Sequence, residues 1–182
     1  NSIELDDGMC YIGECVVVGG VRRTAMINLS NHSDERMRHA KMGNWLVENP
    51  QRSLANNAIC CTEKPDVGAF MREWNAIYES RSGERGIFNR QACKDMAPER
   101  RNTEHEFGTN PCSEIVLRSA QFCNLTEVVV RVDDDYETLK SKVEAATILG
   151  TLQSALTDFK FLRKLWKNNC DEERLLGVSL TG

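Results

Sequence analysis

The hydrophobic positions along this chain change period several times. A valine-rich run over residues 14–18, the Gly19-Gly20 pair and a second apolar run over 24–29 predict strand, glycine turn, strand. Asn31, His32, Ser33 and Asp34 offer N-cap candidates before a helical pattern over 34–43. A short strand is expected over 56–61. A helix follows over 65–78, with Pro65 at its start and Val67, Phe70, Met71, Trp74 and Ile77 at helical spacing. Residues 81–86 predict a turn, 87–89 a short strand, 91–96 a turn or two of helix and 97–106 a polar surface loop. A strand over 124–132 then leads, through Asp133-Asp134-Asp135, into a helical pattern over 136–166, broken once near Thr157-Asp158. Residues 175–180 predict a last strand. Alternating strands and helices imply an α/β fold. The first residues show no clear element start and the chain stops just after a strand. Part of a larger barrel is therefore expected, with a complete small α/β sandwich as the alternative.

Composition narrows this picture. The 182 residues are enough for one domain, and 27% charged with 41% hydrophobic residues is the balance of a soluble globular protein. A net charge of -4 argues against a long basic face for nucleic acid, but leaves nucleotides open as ligands. No apolar run approaches the ~20 residues that span a bilayer, so no membrane partner is expected. Residues 1–7 hold three acids and no base, unlike a signal peptide. Eight cysteines without an export signal suggest free thiols in a reducing cytoplasm rather than disulfide staples, the structural alternative. There is no C-x-x-C pair, and His32, His39 and His105 are not at ligand spacing from cysteines, so no metal site is expected.

The stretch Gly108-Thr109-Asn110-Pro111-Cys112-Ser113-Glu114-Ile115 carries the candidate chemistry. Pro111 removes a backbone donor and biases Asn110 toward an extended conformation. In an extended chain Asn110, Cys112 and Glu114 share one face, presenting an amide, a thiol and a carboxylate in a row. Cys123 begins the next strand, and a loop over 118–121 can fold it back toward the first thiol. A thiol can give up a hydrogen atom, a carboxylate can take a proton from a hydroxyl, an amide can orient a substrate, and a second thiol can supply electrons by forming a disulfide. These are the needs of radical deoxygenation of a sugar. On spacing alone, a buried cysteine, a solvated glutamate and a turn proline remain an open reading. A thiolate nucleophile would call for a neighbouring base, and His105 is the nearest candidate in sequence.

That stretch, with Phe122-Cys123-Asn124-Leu125-Thr126-Glu127, resembles the finger-loop signature of ribonucleotide reductases. Gly19-Gly20-Val21-Arg22-Arg23-Thr24-Ala25 resembles the specificity loop of the adenosylcobalamin-dependent (class II) family. Residues 54–58, 82–89 and 176–182 are similar to further family blocks, in the family's order over essentially the whole chain. The resemblance implies a partial catalytic barrel domain over 1–182, belonging to a ten-stranded α/β barrel with a central finger loop near 108–117 and the specificity loop near 19–24. It implies that Cys112 becomes a thiyl radical that abstracts the ribose 3′-hydrogen and that Glu114 is the general base at the 3′-hydroxyl. Asn110 would bind substrate and help hold Glu114, and Cys123 would be one of two reducing cysteines that end as a disulfide. Gly19, Gly20, Arg22 and Arg23 would link a deoxynucleotide effector to the substrate base; two solvated arginines at a turn are their plainer reading. The implied cofactor is adenosylcobalamin. The implied partners are a ribonucleoside di- or triphosphate, a thioredoxin-type or dithiol reductant, and the remaining reductase segments, without which turnover is not expected.

Ser113 stands where glycine is common in the family, and the second reducing cysteine is not matched by Cys10 or Cys15. Cys60, Cys61, Cys93 and Cys170 match no family cysteine. A non-catalytic nucleotide-binding module built from the same barrel is the main alternative. A reductase class driven by a partner's tyrosyl radical is another, against which the Gly-Gly-Val-Arg-Arg and Ser-Gly-Glu-Arg-Gly blocks weigh.

Overall fold

A computed structural model describes residues 1–16, 24–122 and 124–182. The chain divides into two compact units, Asn1–Val116 and Leu117–Gly182.

The first unit opens on a helix, α1 (Ser2–Glu14), where only a featureless start was expected. Asn1 caps it: its side chain accepts from the Glu4 N–H while the Glu4 carboxylate reaches back to the start of the chain. Glu14, expected in a strand, is the last residue of this helix. Three parallel strands follow, β1 (Met26–Ser30), β2 (Ala55–Cys61) and β3 (Gly86–Asn89), with β2 in the centre. Met26 pairs with Ala55, and Ala58 with Gly86. The connection from β1 to β2 holds two single-turn helices, α2 (Glu35–Arg38) and α3 (Trp45–Glu48), and a 3-10 turn over Pro50–Leu54. The continuous helix expected over 34–43 is therefore shorter than its pattern suggested. The connection from β2 to β3 is α4 (Val67–Ser80), capped by the Asp66 carboxylate on the Ala69 N–H and ended by Arg81 in the left-handed region. Parallel strands joined by helices are the α/β arrangement that the alternating pattern implied.

One side of this sheet is apolar: Ala58, Cys60 and Phe88 are buried, with Ile27, Leu29 and Cys93 packed against them. The layer beneath α4 is charged instead. Glu73 is fully buried and accepts from Arg38 (Nε 2.8 Å, Nη2 2.6 Å) and from Arg85 (Nε 3.0 Å, Nη2 2.7 Å). Arg85 also donates to Ser30 Oγ at 2.8 Å, and Arg38 reaches Glu35 and the His32 carbonyl. A second polar group ties α1 down, with Arg52 and Gln51 on Asp7 and Asn28 on Asp6 Oδ1. The apolar side chains Val67, Met71, Trp74 and Tyr78 of α4 are exposed, while Glu73 and Ala76 face inward.

After β3 come α5 (Arg90–Asp95) and a hairpin of β4 (Phe107–Thr109) with β5 (Val116–Arg118).

The second unit is a parallel crossover. β6 (Leu125–Val129) pairs with β7 (Gly177–Thr181), and α6 (Tyr136–Ser154) and α7 (Lys164–Glu173) lie between them. Asp135 caps α6 with its carboxylate on the Thr138 N–H. The helical break expected near Thr157-Asp158 is present but wider, because α6 ends at Ser154 and α7 starts at Lys164. Arg174, left-handed, stops α7. Phe122 packs on Phe159 and Trp166, at 5.0 and 4.8 Å between ring centroids. Among the described residues no helix is long and apolar enough to cross a membrane, and no group of three or more His, Cys, Asp or Glu side chains is placed to hold a metal ion.

Candidate functional site

The chain between β4 and β5 is a tight turn rather than the extended segment its proline suggested. The Ser113 N–H donates to the Asn110 carbonyl at 2.9 Å, which places Pro111 and Cys112 at the two corners. Proline favours the first corner because its ring presets φ. Ser113 then takes a left-handed φ of 69°. The row of three side chains on one face is consequently corrected. Asn110 is buried, while Cys112, Ser113 and Glu114 are exposed along the turn.

Asn110 organises this turn. Its Oδ1 accepts from the Ile115 N–H at 2.9 Å and its own N–H donates to the Ile115 carbonyl at 3.3 Å. One asparagine thus closes the hairpin with both backbone and side chain, as Asx residues do in turns. The turn is also anchored from outside: Asn56 Nδ2 donates to the Pro111 carbonyl at 2.6 Å. Asn56 is the second residue of β2, so the turn is seated at the N-terminal end of the parallel sheet.

The base of the hairpin is fixed as firmly. Phe107 is fully buried. Arg90 Nε donates to its carbonyl at 2.6 Å, and the Arg101 guanidinium lies 4.7 Å from its ring centroid and donates to the Val116 carbonyl. Glu106 bridges Lys94 at 2.9 Å and Arg90 at 3.1 Å; the hydrogen bond from Lys94 comes first among the effects that hold its carboxyl below the usual range. The sequence singled out none of Arg90, Arg101 or Phe107. Asn56 lies in the 54–58 block, and nothing in the sequence set it apart from Asn57 beside it.

The other expected residues lie elsewhere or outside what is described. Gly19, Gly20, Arg22 and Arg23 fall within 17–23, and Cys123 is also outside the described residues. Thr24 and Ala25 lead into β1 at Met26, which pairs with Ala55 beside Asn56. The chain therefore enters β1 at the same end of the sheet that holds the turn. The seven described cysteines are free thiols. Burial comes first in raising Cys10, to about 11, and in raising Cys60, Cys61 and Cys93 above the usual thiol range. Cys112 and Cys15 are the exposed ones. An exposed thiol with a carboxylate two residues away, on a turn held by hydrogen bonds, can exchange a hydrogen atom or a proton with a ligand brought against it.

No protein-family model matches the chain, and no solved structure matches it. It is similar to curated proteins named adenosylcobalamin-dependent ribonucleoside-triphosphate reductase. The one from Lacticaseibacillus paracasei is 30% identical over 178 residues, 94% of this chain and 23% of that protein. The one from Lactobacillus delbrueckii subsp. bulgaricus is 25% identical over 192 residues, all of this chain and 24% of that protein. A Dictyostelium discoideum protein named as a probable reductase of this kind is 27% identical over 198 residues, with the same coverage of 100% and 24%. The chain spans about a quarter of the length of these relatives. Over essentially its whole length, then, the chain matches one quarter-length segment of adenosylcobalamin-dependent ribonucleotide reductases.

Proposed function

We propose that this chain is part of the catalytic barrel of a class II ribonucleotide reductase and carries its radical cysteine, Cys112. Support comes first from the turn: the family signature falls on a hairpin whose tip exposes Cys112 and Glu114 while Asn110 and Asn56 fix its backbone. The parallel sheets are of the kind a ten-stranded α/β barrel is built from. The relatives' names favour a ribonucleoside triphosphate as substrate.

Adenosylcobalamin, when bound, would supply the radical that starts the chemistry. What this chain would offer it is the exposed Cys112 thiol. The Cys112 sulfur then takes the ribose 3′-hydrogen as an atom. Glu114 accepts the 3′-hydroxyl proton as the 2′-hydroxyl, protonated by the reducing thiol pair, departs as water, and once that pair has given its electrons Cys112 returns the hydrogen atom to C3′. Asn110 keeps the turn closed so that both groups keep their spacing. Cys123, with a second thiol from another segment, gives two electrons and ends as a disulfide, which a dithiol or thioredoxin-type reductant restores. Residues 19–24 carry the effector's influence to the substrate base. Segments beyond these residues complete the barrel and the substrate phosphate site.

The test is made in the complete reductase with adenosylcobalamin, ribonucleoside triphosphate and dithiol. Cys112→Ala is expected to abolish deoxynucleotide formation. Cys123→Ala is expected to leave radical formation intact but block turnover supported by the dithiol. Full activity in Cys112→Ala would overturn the radical assignment. Nucleotide binding by the wild-type protein with no cob(II)alamin signal would favour the non-catalytic module instead.

A further inference from the structure

The far end of β1 and β2 from the turn holds a second constellation. An open cleft of about 740 Å³ is lined there by His32, Cys61, Lys64, Arg72 and neighbouring residues of the loops that follow the two strands. That volume lies in the range that receives small ligands, and the C-terminal ends of parallel strands are a common place for them. Asn56 and Cys61 are five residues apart on β2, roughly 16 Å at ~3.3 Å per residue, so this cleft is separate from the seat of the turn.

Cys61, 3% exposed, is among the residues that line the cleft, and its Sγ lies 3.3 Å from His32 Nε2. The other ring nitrogen, Nδ1, is buried without a hydrogen-bond partner among the described residues and lies 4.0 Å from Glu73 Oε1. Glu73 is already filled by four donor contacts from Arg38 and Arg85, so it faces the ring as a fixed negative charge. Thiol, imidazole and carboxylate follow one another in the order nucleophile, base, orienting group. Burial pushes the Cys61 thiol up, with Cys60 and Glu73 adding to it and Arg85 opposing, so the sulfur stays protonated until a base removes the proton. The lining carries both signs. Lys64 and Arg72 make no salt bridge among the described residues, and Glu63 and Asp66 stand on the same wall. A guest bearing both carboxylate and ammonium groups finds a partner for each.

We propose that Cys61 is a thiolation site, with His32 as its base, for a small zwitterionic disulfide admitted by this cleft. The Cys61 proton passes to His32 Nε2 as the Cys61 sulfur bonds to one sulfur of the guest. The guest's S–S bond breaks, and the departing thiolate takes the proton back from His32. Cys61 thiol and disulfide become a mixed disulfide and a free thiol, so atoms and electrons balance. The radical reading of Cys112 does not use these residues, and neither inference depends on the other.

Oxidised glutathione is the probe, and peptide mapping by mass spectrometry of the full chain reads each cysteine separately. Cys61 is expected to take up one glutathione, reversibly with excess dithiothreitol, and far faster than fully buried Cys10, which reports unfolding. In His32→Gln and His32→Ala the rate at Cys61 is expected to fall about 100-fold, the usual scale of general-base assistance, while exposed Cys15 and Cys112 keep their rates. The proposal fails if Cys61 in the wild-type chain is thiolated no faster than Cys10. It fails equally if both His32 variants fold and leave the Cys61 rate unchanged relative to Cys15.

Discussion

Replacing Glu73 by glutamine strands charge where water cannot reach it. In the wild-type chain this carboxylate, fully buried, takes two contacts from Arg38 and two from Arg85. Glutamine keeps the shape, but one acceptor oxygen becomes a donor amide facing a guanidinium. Arg38 retains Glu35 and the His32 carbonyl, whereas Arg85, 2% exposed, retains Ser30 Oγ among the described residues. Breaking one side of a buried ion pair costs about 3–5 kcal/mol, a large part of the ~5–15 kcal/mol typical of a folded domain. With a urea slope of ~2 kcal/mol per molar, the midpoint should fall by about 2 M. Hydrogen exchange at the β2 amides, measured across the titration, confines the readout to the first unit. Burial pushes the Glu73 carboxyl up, but the hydrogen bonds from Arg85 and Arg38 outweigh it and hold it below its ordinary 4.5. A depressed carboxylate contributes stability above its unfolded value and loses it as pH falls through the folded one. The gap between Glu73→Gln and wild type should therefore be full at neutral pH and close in acid below the ordinary carboxylate range. A second substitution, Arg85→Met, should recover much of the loss, since the guanidinium left with the fewest partners is then gone while Arg38 keeps Glu35 and the His32 carbonyl. A midpoint shift below ~0.5 M for Glu73→Gln alone, about 1 kcal/mol at that slope, would refute the stranded-charge reasoning.

Three further outcomes are expected. Ser113→Gly relieves a left-handed serine, which costs about 1–2 kcal/mol, against a smaller entropic loss of about 0.4–1 kcal/mol; thermal melting should rise by a degree or two, and an unchanged or lower midpoint would count against the turn as described. Asn56→Ala removes the hydrogen bond to the Pro111 carbonyl and should cost only about 1 kcal/mol in unfolding, yet lower kcat of the complete reductase by up to ~100-fold; equal activity would mean that the anchor does not position the sulfur. Burial raises the Asp6 carboxyl above its ordinary 3.8, and its Oδ2 has no hydrogen-bond partner among the described residues. A raised acid favours the fold below its unfolded value and loses that contribution as pH rises through the folded one. Asp6→Asn should then melt higher than wild type at neutral pH, with the difference shrinking below about pH 4, and a difference that grows in acid would contradict this sign.

The alternation of strands and helices was readable because each element repeats its own period. α4 shows the limit. Its spacing of Val67, Phe70, Met71 and Trp74 marked a helix, but the side chains turned to the sheet are Glu73 and Ala76. No local pattern could reveal that, because Glu73 is satisfied by residues 35 and 12 positions away. α1 was missed for a related reason: its buried residues are Asp6, Cys10 and Gly13, so its inner stripe is not apolar, while Leu5, Met9 and Ile12 face outward. At the candidate site, Pro111 correctly signalled a departure from helix. Its effect on Asn110 was read as an extended run, whereas the Asn110 side chain closes a turn onto Ile115. That closure, and the Asn56 anchor 55 positions earlier in the chain, are tertiary facts without a sequence period.

The hairpin tip is registered by directional bonds at Asn110 and Asn56, and not by apolar packing. Aim and robustness are thereby separated in this molecule. A substitution that slackens the hydrophobic interior can lower the melting point while the sulfur still points where it did, and a single lost amide can misdirect it in a protein that melts almost as before.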